Sequence, residues 1–298
     1  MTLQDLLGQH AATALTAWPA TPIRHHPGPQ LLRQYLTLGH VDDLIDHNCV
    51  PMANLAVIAD HRPVDDRLYA GPGGLPRPGA IRRYLDNGAT VSLRALEHLV
   101  PAVAALRDTL QAETGYLVHA NAYYTPPGQQ GFLYHFDPYA TLILQIHGRK
   151  AWPYHRPFEA SPVQEFGNFK DVGFTRPQLE HLAAAEPEDT PVLGPGDVFL
   201  LPRGYPHSPY TVGEEPSLHV TIALKERTPQ WAAELLAQHV ARIALADPAM
   251  RATIPPEQVT GSAVAIAREA RAYLVAALIN LDVDDAAHHL NEQARHPA

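Results

Sequence analysis

The spacing of apolar positions changes character twice along the chain, and the changes mark out three stretches. Up to about residue 90 the pattern is mixed. Leu31, Leu32, Tyr35 and Leu36 recur at helical spacing, Ala53 to Ile58 reads as a strand, and Ala80 to Asn87 reads as a short helix ending near Gly88. Asp60 to Pro78, rich in Pro, Gly and Asp, reads as loop. Across Ser92 to Glu113, residues Leu96, Leu99, Val100, Val103, Leu106 and Leu110 fall at three- and four-residue steps, which predicts a helix with one apolar face. Pro101 lacks the N–H that a helix interior uses, so it is expected to kink or split this region, with Gly115 ending it.

From Tyr116 to about Lys225 the pattern becomes short β-rich runs: Leu117 to Tyr124, Thr141 to Ile146, Val198 to Leu201 and Leu218 to Leu224. Pro126-Pro-Gly128, His147-Gly-Arg149 and Pro195-Gly-Asp197 supply turn chemistry between them. Many short antiparallel strands predict a jelly roll of the cupin type. After Arg227 helical spacing returns. Trp231, Leu235, His239 and Arg242 share one face, with Leu236, Val240 and Ile243 beside it, and a further helix is expected from Val264 to Leu281 with Ser262 as its N-cap. The fold expected is mainly β with α: a double-stranded β-helix core over about residues 115–226, an N-terminal α/β elaboration completing a unit of 1–226, and a helical appendage over 227–298. The apolar faces of that appendage would dock on the barrel or on a second copy of the chain, a homodimer.

Composition narrows the function classes. A hydrophobic content of 46% is enough for a real core, and a net charge of −9 argues against a nonspecific nucleic-acid binder while suiting a basic peptide or protein partner. Cys49 is the single cysteine, so no internal disulfide forms; a reducing cytoplasm fits, and Cys49 itself reads as a small buried hydrophobe. The opening Met1-Thr-Leu-Gln-Asp-Leu-Leu-Gly8 has no basic n-region, and no 18-residue apolar run follows, so neither a signal peptide nor a membrane span is expected.

The chemistry begins at His135-Phe-Asp137 and continues at Leu201-Pro-Arg-Gly-Tyr-Pro-His207. Two neutral imidazoles and one carboxylate can bind one face of an iron(II) ion, leaving three positions for a co-substrate and dioxygen. Residues two apart on a strand point the same way, so His135 and Asp137 could share an ion inside a barrel while Phe136 faces packing. An isolated His-X-Asp also fits a surface strand with two polar side chains. The third ligand must come from elsewhere: His207, just past a strand and a Pro-rich turn, competes with His219 on the last strand, whereas His155 and His181 read as ordinary exposed histidines. 2-Oxoglutarate bound to such an iron needs a cation for its far carboxylate. Lys150, opening a strand after the Gly148 turn, could supply it by a charge-assisted hydrogen bond, with Arg149 facing outward. Spacing alone leaves Lys150 equally readable as a solvated hairpin charge.

Five segments taken together, Ala120-Asn-Ala-Tyr-Tyr-Thr-Pro-Pro-Gly-Gln-Gln-Gly131, His135-Phe-Asp137, Leu144-Gln-Ile-His-Gly-Arg-Lys-Ala-Trp152, Gly196-Asp197 with Leu201–His207, and Ser217-Leu-His-Val-Thr221, resemble the ribosomal oxygenases. These are JmjC-type, cupin-fold 2-oxoglutarate oxygenases that hydroxylate histidine or arginine side chains of ribosomal proteins. The resemblance covers about residues 85–225. It implies His135, Asp137 and His207 as ligands of Fe(II), Lys150 as partner of the distal carboxylate of 2-oxoglutarate, and O2 as oxidant. It further implies Asn121 and Tyr123 as pocket lining and His219 as a pocket residue instead of a ligand; Thr141 and Gln145 could also face the interior or merely pack. The chain departs from the family where an acidic residue and Val-Phe are usual and Ala140-Thr-Leu142 stands, a change expected to bear on substrate contacts. Residues 227–298 suffice for the family's dimerising helices and leave little room for its winged helix, which is expected to be absent.

Three functional readings follow: hydroxylation of a peptide or protein side chain, hydroxylation of a small natural product or free amino acid, and a metal-binding cupin without oxygenase activity.

Overall fold

A computed structural model describes residues 1–165, 167–261 and 263–295. Ser262, expected as an N-cap, lies outside the described residues. The chain divides into two compact units, Met1–Glu226 and Arg227–Ala298.

Among the described residues the first unit holds eleven strands: β1 (Ile23–His25), β2 (Leu55–Ala59), β3 (Arg62–Pro63), β4 (Thr90–Leu93), β5 (Leu117–Thr125), β6 (Ala140–His147), β7 (Arg149–Ala151), β8 (Val192–Leu193), β9 (Val198–Leu201), β10 (Tyr210–Val212) and β11 (Ser217–Lys225). Eight form one sheet in the order β1-β9-β6-β11-β5-β4-β2-β3, and three form a second in the order β10-β7-β8. Every pairing is antiparallel. This is the cupin-type fold expected.

Alternation along the large sheet separates two tasks. Val118, Ala120 and Ala122 on β5, Leu142, Leu144 and Ile146 on β6, and Leu218, Val220, Ile222 and Leu224 on β11 share one apolar core with the N-terminal helices. Helix Pro101–Thr114 contributes Val103, Leu106 and Leu110 to that core, and helix Leu3–Leu7, opened by a Thr2–Asp5 capping box, contributes Leu3, Leu6 and Leu7. The opposite face carries Ile143, Phe199 and Leu201, which pack with Trp152, Tyr154, Leu193 and Tyr205. The same face presents polar side chains in register: Tyr123 opposes His219, and His219 opposes Gln145. This polar interior is where ligands can be held.

Several expected boundaries move. Ser92 and Leu93 belong to β4, not to a helix, because Ser92 pairs with Tyr123 on one side and Ala56 on the other; the sheet overrides the helical spacing. A 3-10 turn, Leu96–His98, follows, and the helix proper starts at Pro101, which takes the first position where no N–H is needed. Of the group at 31–36, the helix Pro29–Arg33 includes only Leu31 and Leu32. The first strand of the 50s runs Leu55–Ala59, after a 3-10 turn at Met52–Asn54, and the following loop contains the two-residue β3.

The second unit has helices Pro229–Ala244, Pro256–Gly261, Ala263–Ile279 and Val283–Arg295. Thr228 caps the first through the Trp231 N–H (3.2 Å), and Val240 and Ala244 are its buried residues. Helix Ala263–Ile279 buries none of its described side chains; Val264, Val275 and Ile279 are exposed. No helix among the described residues is long and apolar enough to cross a membrane.

Candidate active site

His135 and Asp137 do not lie on a regular strand, contrary to the sequence-based expectation. They belong to the irregular link between β5 and β6, where His135 forms an isolated antiparallel bridge with His207. The His135 N–H donates to the His207 carbonyl (3.1 Å) and the His207 N–H to the His135 carbonyl (2.8 Å). The Gly204 N–H donates to the Asp137 carbonyl (2.8 Å), so the turn after β9 grips this link twice. Phe136 points the other way, as expected, into an aromatic cluster with Phe169 and Phe174 at 5.3 and 5.7 Å between ring centroids.

One ligand atom each from His135, Asp137 and His207 lies within 4.8 Å of the others. His207 Nε2 stands 3.9 Å from Asp137 Oδ2, and the two imidazole rings are 4.3 Å apart. Each imidazole is fixed through its other nitrogen: His135 Nδ1 contacts the Leu133 carbonyl (2.8 Å) and His207 Nδ1 the Tyr205 carbonyl (2.9 Å). A carbonyl only accepts, so each Nδ1 is the donor there and each Nε2 is the nitrogen left to face a cation. Burial pushes the Asp137 carboxyl upward, and burial together with the neighbouring His135 lowers His207 to about 3, leaving it neutral. Two imidazoles presenting Nε2 and a buried carboxylate are the donor set of a non-haem iron(II) site, and the residues present fit that ion. His219 is outside this group.

Lys150 is inside the barrel and only 2% exposed, so the reading of it as a solvated hairpin charge fails; Arg149 is the exposed member of the pair. Its Nζ donates to Thr125 Oγ1 (2.9 Å), which also accepts from Thr90 Oγ1 (3.1 Å). No carboxylate pairs with it among the described residues, and burial lowers it to about 7. An ammonium desolvated without a counter-ion suits a bound carboxylate.

The walls between Lys150 and the triad are aromatic and polar. His219 stacks on Tyr123 (5.1 Å, 11°), and Trp152 stands edge-on to His219 (5.2 Å) and nearly parallel to His207 (5.9 Å, 29°). Burial pushes the Tyr123 hydroxyl up to about 12, with the Asp137 charge acting in the same direction, while His219 falls well below the usual imidazole range through burial and the cation beside it at Lys150. Gln145 is buried at the register shift of β11 between Leu218 and His219, where its Nε2 donates to the His147 carbonyl (2.7 Å) and Ser217 Oγ (3.0 Å). Asn121 Oδ1 accepts from the Ala95 N–H (3.0 Å), and Thr141 Oγ1 reaches the Leu201 carbonyl (3.5 Å); both hydroxyl and amide are therefore engaged with backbone.

Sequence reasoning missed two residues here. Trp152 lies two positions after Lys150 and points inward for the same reason, a signal available from alternation. His155 is 4% exposed, not an exposed histidine: its N–H donates to the Pro206 carbonyl (2.9 Å), which ties it beneath the turn carrying His207, and its ring meets Tyr134 (3.3 Å). His181 is exposed as expected, and Cys49, expected buried, is exposed.

Residues 97–232 match the JmjC domain family. The chain is 27% identical over 211 residues to the bifunctional lysine-specific demethylase and histidyl-hydroxylase NO66 of Aedes aegypti, a match spanning 70% of this chain and 32% of that protein. It is 31% identical over 161 residues to ribosomal oxygenase 1 of Rattus norvegicus, spanning 54% of this chain and 26% of that one. The matched region is thus a third or less of the length of these curated relatives. Among solved structures, Escherichia coli ycfD superposes with a TM-score of 0.56 at 16% identity, covering 95% of this chain and 70% of its own. The ycfD ribosomal oxygenase in complex with cobalt and 2-oxoglutarate superposes equally well, at 0.56 and 16%, covering 97% and 71%. At that identity the structural likeness is one of fold. The domain match, the relatives and the fold agree: residues 97–232 carry a JmjC-type domain, and the chain is similar to the ribosomal oxygenases.

Proposed function

We propose that this protein is an Fe(II)- and 2-oxoglutarate-dependent oxygenase that hydroxylates an unactivated C–H of a peptide or protein side chain. The observation that carries the reading is the convergence of His135, Asp137 and His207 beside a buried Lys150 that has no counter-ion among the described residues. Iron(II), when bound, would activate dioxygen while 2-oxoglutarate is converted to succinate and carbon dioxide. His135, Asp137 and His207 would hold the ion on one face. Lys150 would take the distal carboxylate, and the stacked rings of Tyr123, His219 and Trp152 would exclude water from the space between.

A polypeptide substrate is supported by a cleft of about 390 Å³ that begins at Phe136, between two of the ligands. Phe136 and Phe158 line it, as do Glu159, Glu165 and Asp171. None of these carboxylates makes an ion pair among the described residues, a charge pattern complementary to a basic segment. Residues 1–226 would be the oxygenase unit. The apolar residues left exposed on helix Ala263–Ile279 support pairing of 227–298 with a second copy, and the single cysteine suits the cytoplasm.

The test is incubation with iron(II), 2-oxoglutarate and peptides from a cell extract, read by mass spectrometry. A peptide that gains one oxygen with matching succinate release is the expected result. Succinate release without any modified peptide, but with a modified metabolite, would move the substrate to a small molecule; no 2-oxoglutarate binding to the metal-loaded protein would leave a non-catalytic metal-binding cupin.

A further inference from the structure

Among the described residues, four buried side-chain atoms have no hydrogen-bond partner: Gln145 Oε1, Trp152 Nε1, Thr211 Oγ1 and His219 Nδ1. Leaving a buried polar atom without a partner is costly, so such atoms are normally few. Here each belongs to His219 itself or to a residue directly beside Lys150 or His219. Thr211 is the direct cross-strand partner of Lys150 in the β10–β7 pair, so the two side chains stand on the same side of the small sheet. Trp152 follows Lys150 by two positions and lies against both His207 and His219. Gln145 opposes His219 in the β11–β6 pair. Thr211 and Trp152 are 4% and 3% exposed, and each brings a hydrogen that it can donate.

Resting on the oxygenase reading above, we infer that Thr211 and Trp152 are co-substrate-binding residues, the Thr211 hydroxyl donating beside Lys150 to the distal carboxylate and the Trp152 indole N–H donating at the metal end of the same molecule. A five-carbon keto-diacid offers acceptors at both ends and apolar methylenes between them. The donors here are likewise at two ends, with the flat faces of Tyr123 and His219 beside them. An apolar ligand would leave all four atoms orphaned, and a monoacid would leave the group at one end unpartnered.

The test uses the full chain loaded with zinc, which is diamagnetic and does not turn over. Calorimetry gives the 2-oxoglutarate Kd of the wild type and of Thr211→Val, which keeps shape and removes one donor, and Trp152→Phe, which removes the indole N–H but keeps an aromatic ring. Each variant is expected to bind about ten-fold more weakly or worse, since a hydrogen bond to a charged group is lost, with thermal unfolding little changed. In the wild type the indole N–H resonance that disappears in Trp152→Phe should shift on adding 2-oxoglutarate, a readout that needs no variant to bind. The three tryptophans, Trp18, Trp152 and Trp231, make that assignment direct. Wild-type affinity in either variant, or an unmoved Trp152 resonance in protein that binds, overturns the assignment of that residue alone. A wild type that binds metal but no 2-oxoglutarate removes the assignment and the oxygenase reading together.

Discussion

His135 and His207, far apart in sequence, exchange a reciprocal pair of backbone hydrogen bonds, and that exchange places their imidazoles 4.3 Å apart. The two proposed ligands are therefore aligned by main chain before any ion arrives, and each ring is then oriented by its own carbonyl acceptor. Preorganisation of this kind lowers the ordering cost of metal capture.

Removing a ligand should abolish turnover while leaving the fold. His135→Ala and Asp137→Ala are expected to show no substrate-dependent succinate release, and metal binding measured by calorimetry should be lost or greatly weakened. Both side chains come from an irregular link outside the main apolar core, so the thermal midpoint should move little; retained turnover in either variant would refute the metal assignment.

As the proposed partner of the co-substrate, Lys150 should make co-substrate affinity depend on pH. Without the co-substrate its ammonium loses its proton near 7, and a bound dicarboxylate needs it charged. Below about 7 the lysine is already protonated and affinity is flat; above it, each pH unit should weaken binding by up to about ten-fold, with one proton taken up on binding. Calorimetry at about pH 6.5 and about pH 8.5 in buffers of different ionisation enthalpy checks the sign. Lys150→Met should bind about 10- to 100-fold more weakly and lose the pH dependence.

Gly148 turns β6 into β7 and so places Lys150. Its φ is +61°, and a Cβ there would overlap the Pro216 carbonyl oxygen. Gly148→Ala is expected to cost at least about 2 kcal/mol, read as a lowered midpoint in chemical denaturation.

The cleft beside Phe136 should act through substrate affinity. Reversing Glu165 and Asp171 together to Lys is expected to raise the KM for a basic peptide several-fold, to weaken the salt dependence of KM, and to leave the 2-oxoglutarate Kd unchanged. An unaltered KM would exclude this cleft from peptide binding.

Much of this arrangement is legible in the chain. The alternation of Leu142, Leu144 and Ile146 against Thr141, Ile143 and Gln145 marks β6 as two-faced, and the turn residues around Gly148 and Gly196 mark where strands reverse. Ser92 and Leu93 were not legible, because their helical spacing is overridden by pairing with two strands distant in sequence. Nor was the bridge between His135 and His207, since a single pair of backbone bonds has no periodicity to detect. Trp152 shows a different kind of oversight: its direction follows from Lys150, but an indole reads as packing until its N–H is found without an acceptor.

The division of labour across the large sheet has an evolutionary corollary. The larger apolar core lies on the side facing the N-terminal helices, so polar positions of the opposite wall can be exchanged at less cost to the fold, provided the Ile143–Phe199–Leu201 cluster beside them is kept. Descendants of such a scaffold can therefore drift toward new targets by altering a handful of inward positions, with smaller unfolding penalties to restrain them.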